Sequence, residues 1–408
     1  MIKKLGFLGL CLSFSFLVSA QTSFKYGKWH ARLLRHDGHE IPFDLDIQQQ
    51  NGKATFFIEN GKERIKMENI EKAKDSLIIR MSVFESYFRV KLIGQDSLNG
   101  VWVSGGEKND IVIPLVASAG ARQIPLAQAT NANNIEGKWK FEFTRANQTK
   151  RFAIGEFQQN GKNVSGSVLT PSGDYRYLNG IAANDSLFLS TFDGSHAIVF
   201  SAKIGNGNMQ GHYFAGAAAN ESWTAVKDED VKLEAAVTSV KEGSDGKLAF
   251  TFKDLDGKPV SIQSDKYRGK VVILQLMGSW CPNCMDETAF LSEYYRKNKA
   301  RGVEVIALGY ELSTDATRSV NSLKKFRKQF NVEYPMLNTG ATASDPMRTE
   351  KTLPQLTPLK VFPTTIILDQ NGAVKDIATG FYGPGSGEYH LKYKEHFEQT
   401  INALLSQP

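Results

Sequence analysis

Residues 271–284 read VVILQLMGSWCPNC, an apolar run that ends in two cysteines three positions apart. The run predicts a buried strand, and Pro282 suits the first position of a helix. A strand that delivers Cys281 and Cys284 to a helix start is the arrangement used for dithiol–disulfide exchange. The alternatives are a structural disulfide, whose loop would be too short to constrain the unfolded chain much, and one half of a zinc site. The pair therefore predicts a redox centre.

The first 20 residues have the pattern of a secretory signal peptide. Two lysines precede an apolar run at residues 5–18, and Ser19 and Ala20 provide a small-residue cleavage site. A transmembrane anchor is the alternative, but the run is shorter than the roughly 20 residues that a span needs. Cleavage would also remove Cys11. We expect residues 1–20 to be a signal peptide and the mature protein to be periplasmic or secreted, without insertion into a membrane.

Length and charge limit the classes of function. A chain of 408 residues can hold two to four domains, each with its own core. The formal net charge of +6 is mild and the basic residues are spread along the chain, which disfavours nucleic acid as a partner. His30, His36 and His39 have no cysteine near them and are expected to be solvated, so we expect no metal site and no cofactor.

An internal repeat organises residues 24–226. Gly-Lys-Trp, Gln-Gln-Asn-Gly-Lys and Asp-Ser-Leu begin at positions 27, 49 and 75, and recur at 137, 158 and 185. Each copy has short runs rich in Val, Ile, Phe and Tyr between turn signals, the pattern of antiparallel sheet. We predict two β modules, at residues 21–120 and 130–227, each a barrel or sandwich that closes its own core. The Gly-x-Trp motif resembles lipocalin-like barrels, where tryptophan plugs one end; an ordinary core position is the alternative.

The pattern changes after a charged linker at residues 228–247. Residues 248–408 alternate between strand and helix signals. We predict strands at residues 248–252, 259–262, 271–277, 303–308, 365–368 and 373–377, and helices at 282–299, 315–330 and 389–405. With the cysteines at the end of the first central strand, this order resembles the thioredoxin fold. The predicted fold class is two repeated all-β modules followed by an α/β thioredoxin-like domain.

Four motifs of this last domain resemble, in their order, the exported thiol-disulfide oxidoreductases of the TlpA and ResA kind. They are DLDGKPV at 254–260, RGKVV at 268–272, GSWCPNC at 278–284 and FPTT at 362–365. The resemblance covers residues 245–405. It implies a periplasmic reductase of protein disulfides, including those of apo-cytochromes, and a thiol donor such as a membrane electron carrier. It also implies that Pro363 is cis and faces the cysteines.

The position of each cysteine in the helix predicts its role. Cys281 stands at the cap, where unpaired N–H groups and the positive end of the helix dipole favour a thiolate, so we expect it to be the nucleophile. Cys284 lies one turn further in and would attack the mixed disulfide that Cys281 forms, as the resolving thiol. In the oxidised state the two would form the redox-active disulfide.

Proton transfer has one candidate residue. Thioredoxin carries a buried aspartate on the strand before its cysteines, and the corresponding position here is Gln275, which cannot titrate. By resemblance to ResA-like proteins, Glu287 takes over this role from three residues past the second cysteine. Burial beside a thiol would raise its pKa. The alternative is a surface carboxylate near the start of the helix.

Two aromatic residues and a proline flank the cysteine pair. We expect Trp280, Phe362 and Pro363 to bind the partner polypeptide, because apolar groups beside a reactive thiol form a docking surface in this fold. For the two aromatic rings, half-buried packing is the alternative.

Two other functions compete with disulfide reduction. Peroxiredoxins share the fold, but the threonine they carry three residues before the reactive cysteine would fall at Gly278, which has no hydroxyl. The second alternative is a binding or scaffold protein that uses its β repeats, with the C-terminal domain as a redox-regulated appendage. A peroxide-consumption assay and a pull-down with the β repeats would separate these functions from reduction.

Overall fold

The structure is a computed structural model that describes residues 24–68, 70–120, 131–234 and 237–407. The predicted signal peptide lies outside these residues. Within the described parts of the chain, no helix combines the length and the apolar character needed to cross a bilayer. Three sheets follow one another along the chain, two in β modules and one in a C-terminal α/β domain. The predicted fold class is confirmed.

The first module is an open antiparallel sheet of nine strands. These are β1 (Gly27–Leu34), β2 (Glu40–Gln50), β3 (Lys53–Asn60), β4 (Glu63–Lys66), β5 (Ile70–Ala73), β6 (Ser76–Arg80), β7 (Ser86–Ile93), β8 (Ser97–Ser104) and β9 (Ile111–Ala119). Their order is β4-β3-β2-β1-β9-β8-β7-β6-β5, so β4 and β5 are its edges. Alternate side chains point inwards, as Trp29, Ala31 and Leu33 do in β1.

The second module closes into a barrel. Its strands are β10 (Gly137–Thr144), β11 (Lys150–Asn160), β12 (Asn163–Thr170), β13 (Gly173–Asp174), β14 (Leu178–Ala183), β15 (Ser186–Phe192), β16 (Ala197–Ile204), β17 (Asn208–Ala215) and β18 (Ala219–Lys227). The ring closes because β11 pairs with both β10 and β12, and β12 also pairs with β14. Closure leaves the barrel strands without free edges. Trp139 is buried inside, and its Nε1 donates to the carbonyl of Ile135 at 2.8 Å.

The first module does not close its own core, which differs from the expectation for each repeat. Strand β3 pairs with the short β4, and Phe192 of β15 fills the open side. The Phe192 ring centroid lies 4.2 Å from that of Phe43 and 5.8 Å from that of Phe88. Asn60 Nδ2 donates to the Phe192 carbonyl at 2.8 Å, and its Oδ1 accepts the Phe192 N–H at 3.1 Å. The second module thus completes the core of the first.

Asn60→Ala should lower the free energy of unfolding by about 2 kcal/mol, because it leaves two buried main-chain groups of Phe192 without partners. Urea unfolding followed by circular dichroism measures the effect. Asn99→Ala, at an exposed position of β8, is the control and should change stability by less than about 0.5 kcal/mol. Equal losses in the two variants would show that Asn60 does not join the modules.

The α/β domain has a seven-stranded sheet with helices packed against it. Its strands are β19 (Thr251–Asp254), β20 (Pro259–Ser261), β21 (Val271–Met277), β22 (Val303–Gly309), β23 (Met336–Asn338), β24 (Thr364–Leu368) and β25 (Val374–Thr379), and its helices are α1 (Pro282–Asn298), α2 (Ala316–Gln329), α3 (Arg348–Thr352) and α4 (Glu388–Leu405). Strand β21 is buried along its length, parallel to β22 and antiparallel to β24. It therefore delivers the cysteine pair from the centre of the sheet.

Candidate active site

The two cysteines lie where β21 ends and α1 begins. Cys281 is the N-cap of α1, and its sulfur accepts a hydrogen bond from the backbone N–H of Cys284 at 3.3 Å. Pro282 is the first helical residue. The Cys281 thiol also contacts the carbonyl oxygen of Phe362 at 3.7 Å. Both cysteines are free thiols, so the geometry is that of the dithiol form.

Cys284 is the deeper of the two thiols and is fully buried. Burial and the neighbouring Cys281 thiol raise the pKa of Cys284 well above the ordinary value for cysteine. A thiol with a raised pKa reacts only after a base has taken its proton. The difference in environment agrees with the predicted division of roles, in which Cys281 attacks the substrate and Cys284 acts second.

A buried carboxylate follows Cys284 by one helical turn. Glu287 accepts hydrogen bonds from Thr365 Oγ1 at 2.6 Å, Tyr393 Oη at 2.9 Å and Gln275 Nε2 at 3.0 Å. Burial raises the pKa of Glu287 to about 7, and the three hydrogen bonds limit the rise because they favour the carboxylate. Glu287 is 0% exposed, which excludes a surface role. An acid with a pKa near neutrality can both accept and return a proton.

The residues predicted to bind the partner polypeptide surround the thiols. The Phe362–Pro363 peptide bond is cis, as the resemblance implies. The Trp280 and Phe362 rings are half-buried and pack edge to face, with their centroids 6.0 Å apart. Trp280 Nε1 donates to the carbonyl of Tyr310 at 2.9 Å. Both rings are therefore fixed in orientation while part of their surface stays accessible.

Comparisons with known proteins agree with this geometry. The Redoxin family matches residues 241–387. The thiol-disulfide oxidoreductase ResA of Geobacillus kaustophilus is 31% identical over 143 residues, which cover 35% of this chain and 72% of that protein. The chain belongs to the ResA-like thiol-disulfide oxidoreductases. The Redoxin match includes both cysteines of the pair.

Another ResA protein matches over a stretch of similar length. ResA of Bacillus thuringiensis subsp. konkukian is 31% identical over 126 residues, which cover 31% of this chain and 62% of that protein. The chain thus spans less than two thirds of the length of this relative. A solved structure of a thiol:disulfide interchange protein DsbE from Chlorobium tepidum matches at 26% identity with a TM-score of 0.31, over 41% of this chain and 100% of that one.

Some residues of the ResA-like site had no signal in the sequence. Tyr393 contacts Glu287 only because α4 packs against α1, and nothing near Tyr393 marks it as part of a site. Thr365 lies within the FPTT motif and could have been assigned to Glu287 from that motif. Residues of the second module that are distant in sequence also contact the cysteine region: Asp174, Arg176 and Ser195.

Proposed function

We propose that this protein is a periplasmic thiol-disulfide oxidoreductase that reduces protein disulfides. The observation that carries the proposal is the placement of Cys281 at the N-cap of α1, with the fully buried Cys284 and Glu287 behind it. Relatives of the α/β domain are thiol-disulfide oxidoreductases, which supports the same chemistry here. A signal peptide at residues 1–20 would direct export to the periplasm, and its cleavage would release the mature protein there.

The reaction proceeds in two exchanges. The Cys281 thiolate attacks one sulfur of the substrate disulfide, a mixed disulfide forms, and the other substrate sulfur leaves and takes up a proton. Glu287, as the carboxylate, then accepts the proton of Cys284. The Cys284 thiolate attacks the sulfur of Cys281, which closes the disulfide and releases the second substrate sulfur as a thiol. Counted from the dithiol form, the substrate gains two electrons and two protons and the protein loses them: one proton leaves Cys281 when its thiolate forms, and the other passes from Cys284 through Glu287 to the departing sulfur.

Turnover requires an external thiol donor that reduces the Cys281–Cys284 disulfide. The resemblance to the TlpA and ResA kind supports a membrane electron carrier as the donor and the cysteines of apo-cytochromes as substrates, hence a role in cytochrome c maturation. Trp280, Phe362 and the cis Pro363 would contact the substrate chain on either side of the disulfide. The sequence repeat indicates that the two β modules arose by duplication of one unit. They would lie next to the surface formed by Trp280, Phe362 and Pro363.

Cys284→Ser tests the assignment directly. Serine cannot attack the mixed disulfide, so the purified variant should accumulate a covalent complex with a disulfide substrate such as insulin. Non-reducing electrophoresis measures the complex, and mass spectrometry of its peptides should locate the link at Cys281. The matched variant Cys281→Ser should form no complex. Equal amounts of complex from both variants would refute the proposed roles.

A further inference from the structure

The second module covers the face of the α/β domain that carries the nucleophilic cysteine. Cys281 is 4% exposed, and Asn283, between the two cysteines, is 9% exposed. Asn283 Nδ2 donates to the side chain of Asp174 at 2.8 Å and to its carbonyl at 3.1 Å. Ser195 Oγ donates to the carbonyl of Trp280 at 3.1 Å. Groups on both sides of Cys281 are therefore held by the β module.

One buried arginine joins all three parts of the protein. Arg176 Nη1 lies 2.5 Å from Asp286 of α1 and donates to the carbonyl of Pro282 at 3.2 Å. Its Nη2 pairs with Glu63 of the first module, and its Nε lies 3.5 Å from Asp193 of the second. The guanidinium is permanently charged, and without it the Glu63 and Asp286 carboxylates, whose side chains are 11% and 12% exposed, would lose their cationic partner. Arg176 thus holds both modules against the start of the helix.

A second contact, more exposed, holds the first module against α2. Glu85 accepts hydrogen bonds from Arg318 Nε at 2.9 Å and Nη2 at 2.6 Å, and one from Ser322 Oγ. Nearby, Lys325 Nζ donates to the carbonyl of Phe84 at 3.1 Å. Because the Glu85 and Arg318 side chains are 34% and 33% exposed, this contact can be removed without leaving a deeply buried charge.

A cavity lies between the modules and the α/β domain beside Trp280, but Cys281 is not among the residues that line it. Its volume is about 190 Å³, and both the modules and the α/β domain line it, with Phe84, Ser104, Ser195, Ser279, Trp280 and Glu311. A second cavity, of about 600 Å³, lies beside the contact between Glu85 and Arg318, and Cys281 does not line it either. A mixed disulfide brings two sulfur atoms to about 2 Å, so a folded substrate would have to displace the modules before its sulfur could reach Cys281.

We propose that Arg176 is a specificity-determining residue, which acts by holding the β modules over Cys281. The covered site then reacts with disulfides in small molecules and short extended peptides faster than with disulfides on the surface of folded proteins. This proposal rests on the proposed function, because it takes Cys281 to be the nucleophile.

The test compares two substrates of the same chemistry and different bulk, with the full chain. One is a short cysteine peptide that carries a thionitrobenzoate mixed disulfide, and the other is a folded carrier protein with the same group on a surface cysteine. Release of thionitrobenzoate is followed by absorbance. We expect the carrier-to-peptide rate ratio to rise about threefold in Glu85→Ala, with the peptide rate unchanged, since partly exposed ion pairs contribute little. In Arg176→Gln the ratio should rise at least about tenfold, since its ion pairs are buried.

The controls separate this inference from the proposed function. Asp75→Ala removes an exposed ion pair with Lys91, on the surface of the first module, and should leave the ratio unchanged. If Arg176→Gln fails to fold, Asp286→Asn, which removes the ion pair between Arg176 and α1, takes its place and should raise the ratio in the same direction. Reaction of the wild-type protein with neither substrate would refute the proposed function. Equal rates with both substrates, or a ratio unchanged by the variants, would overturn the inference and leave the proposed function standing.

Discussion

Cys281→Ala should reduce the rate of insulin reduction by at least about 10³-fold, to the rate of the dithiol donor alone, because no other group can form the first mixed disulfide. Cys284 cannot replace it. Its sulfur is fully buried, and its raised pKa keeps it protonated at neutral pH. The measurement is the turbidity of reduced insulin in the presence of dithiothreitol.

A matched set of variants makes this result decisive. Cys284→Ala keeps the nucleophile and should react once with a thionitrobenzoate disulfide, whereas Cys281→Ala should not react even once. Circular dichroism checks that both variants fold. A protein with both cysteines changed to alanine that still reduced insulin at the wild-type rate would remove the thiols from the mechanism altogether.

Glu287→Gln should slow the resolving step about 100-fold at pH 7 and remove its pH dependence near neutrality. Glutamine preserves the size of the side chain but cannot take a proton from Cys284. In the wild-type protein the resolving rate should rise as the pH passes through about 7, where Glu287 becomes a carboxylate. Stopped-flow measurement of the second thiol released in a single turnover gives this rate. An unchanged profile in the variant would exclude Glu287 from proton transfer.

Glu287→Gln should also change how the stability of the protein depends on pH, and the sign of this change follows from the raised pKa of Glu287. Burial raises the pKa of Glu287 from 4.5 to about 7, so folding favours the protonated form. That contribution is fully present below the unfolded value and is lost as the pH rises through 7. The stability of the wild-type protein relative to Glu287→Gln should therefore fall between pH 5 and pH 8. Glu293→Gln, at an exposed position of the same helix, should leave the stability difference flat over this range and the resolving-rate profile the same as in the wild type.

The parts of the site that are close along the chain could be predicted from the sequence. The apolar run and the proline after Cys281 predicted strand β21 at residues 271–277 and the start of α1 at Pro282, which are the observed bounds. Both follow from local properties, namely the buried pattern of a central strand and the missing N–H of proline. The surroundings of Glu287 could not be predicted in this way, because Tyr393 reaches it only through the packing of α4.

Two other features could not be predicted from the sequence: the short secondary-structure elements and the closure of a β module into a barrel. Strand β23 has three residues and α3 has five, too few for a periodic pattern to be visible. The predicted first strand of the domain, at residues 248–252, begins only at Thr251, although Leu248 and Phe250 are buried. A β module closes only if the first and last strands of its ring pair with each other. The two copies differ in this pairing, although they share the same repeated sequence motifs.

The packing of Phe192, from the second module, into the core of the first module has a consequence for synthesis of the protein. A nascent chain is synthesised from its N-terminus, so the open sheet is complete before Phe192 has been added. Until then the apolar interior is uncapped and its two outer strands can recruit neighbouring polypeptides. We therefore expect the first module to be most prone to aggregation in the interval before the second module has been made.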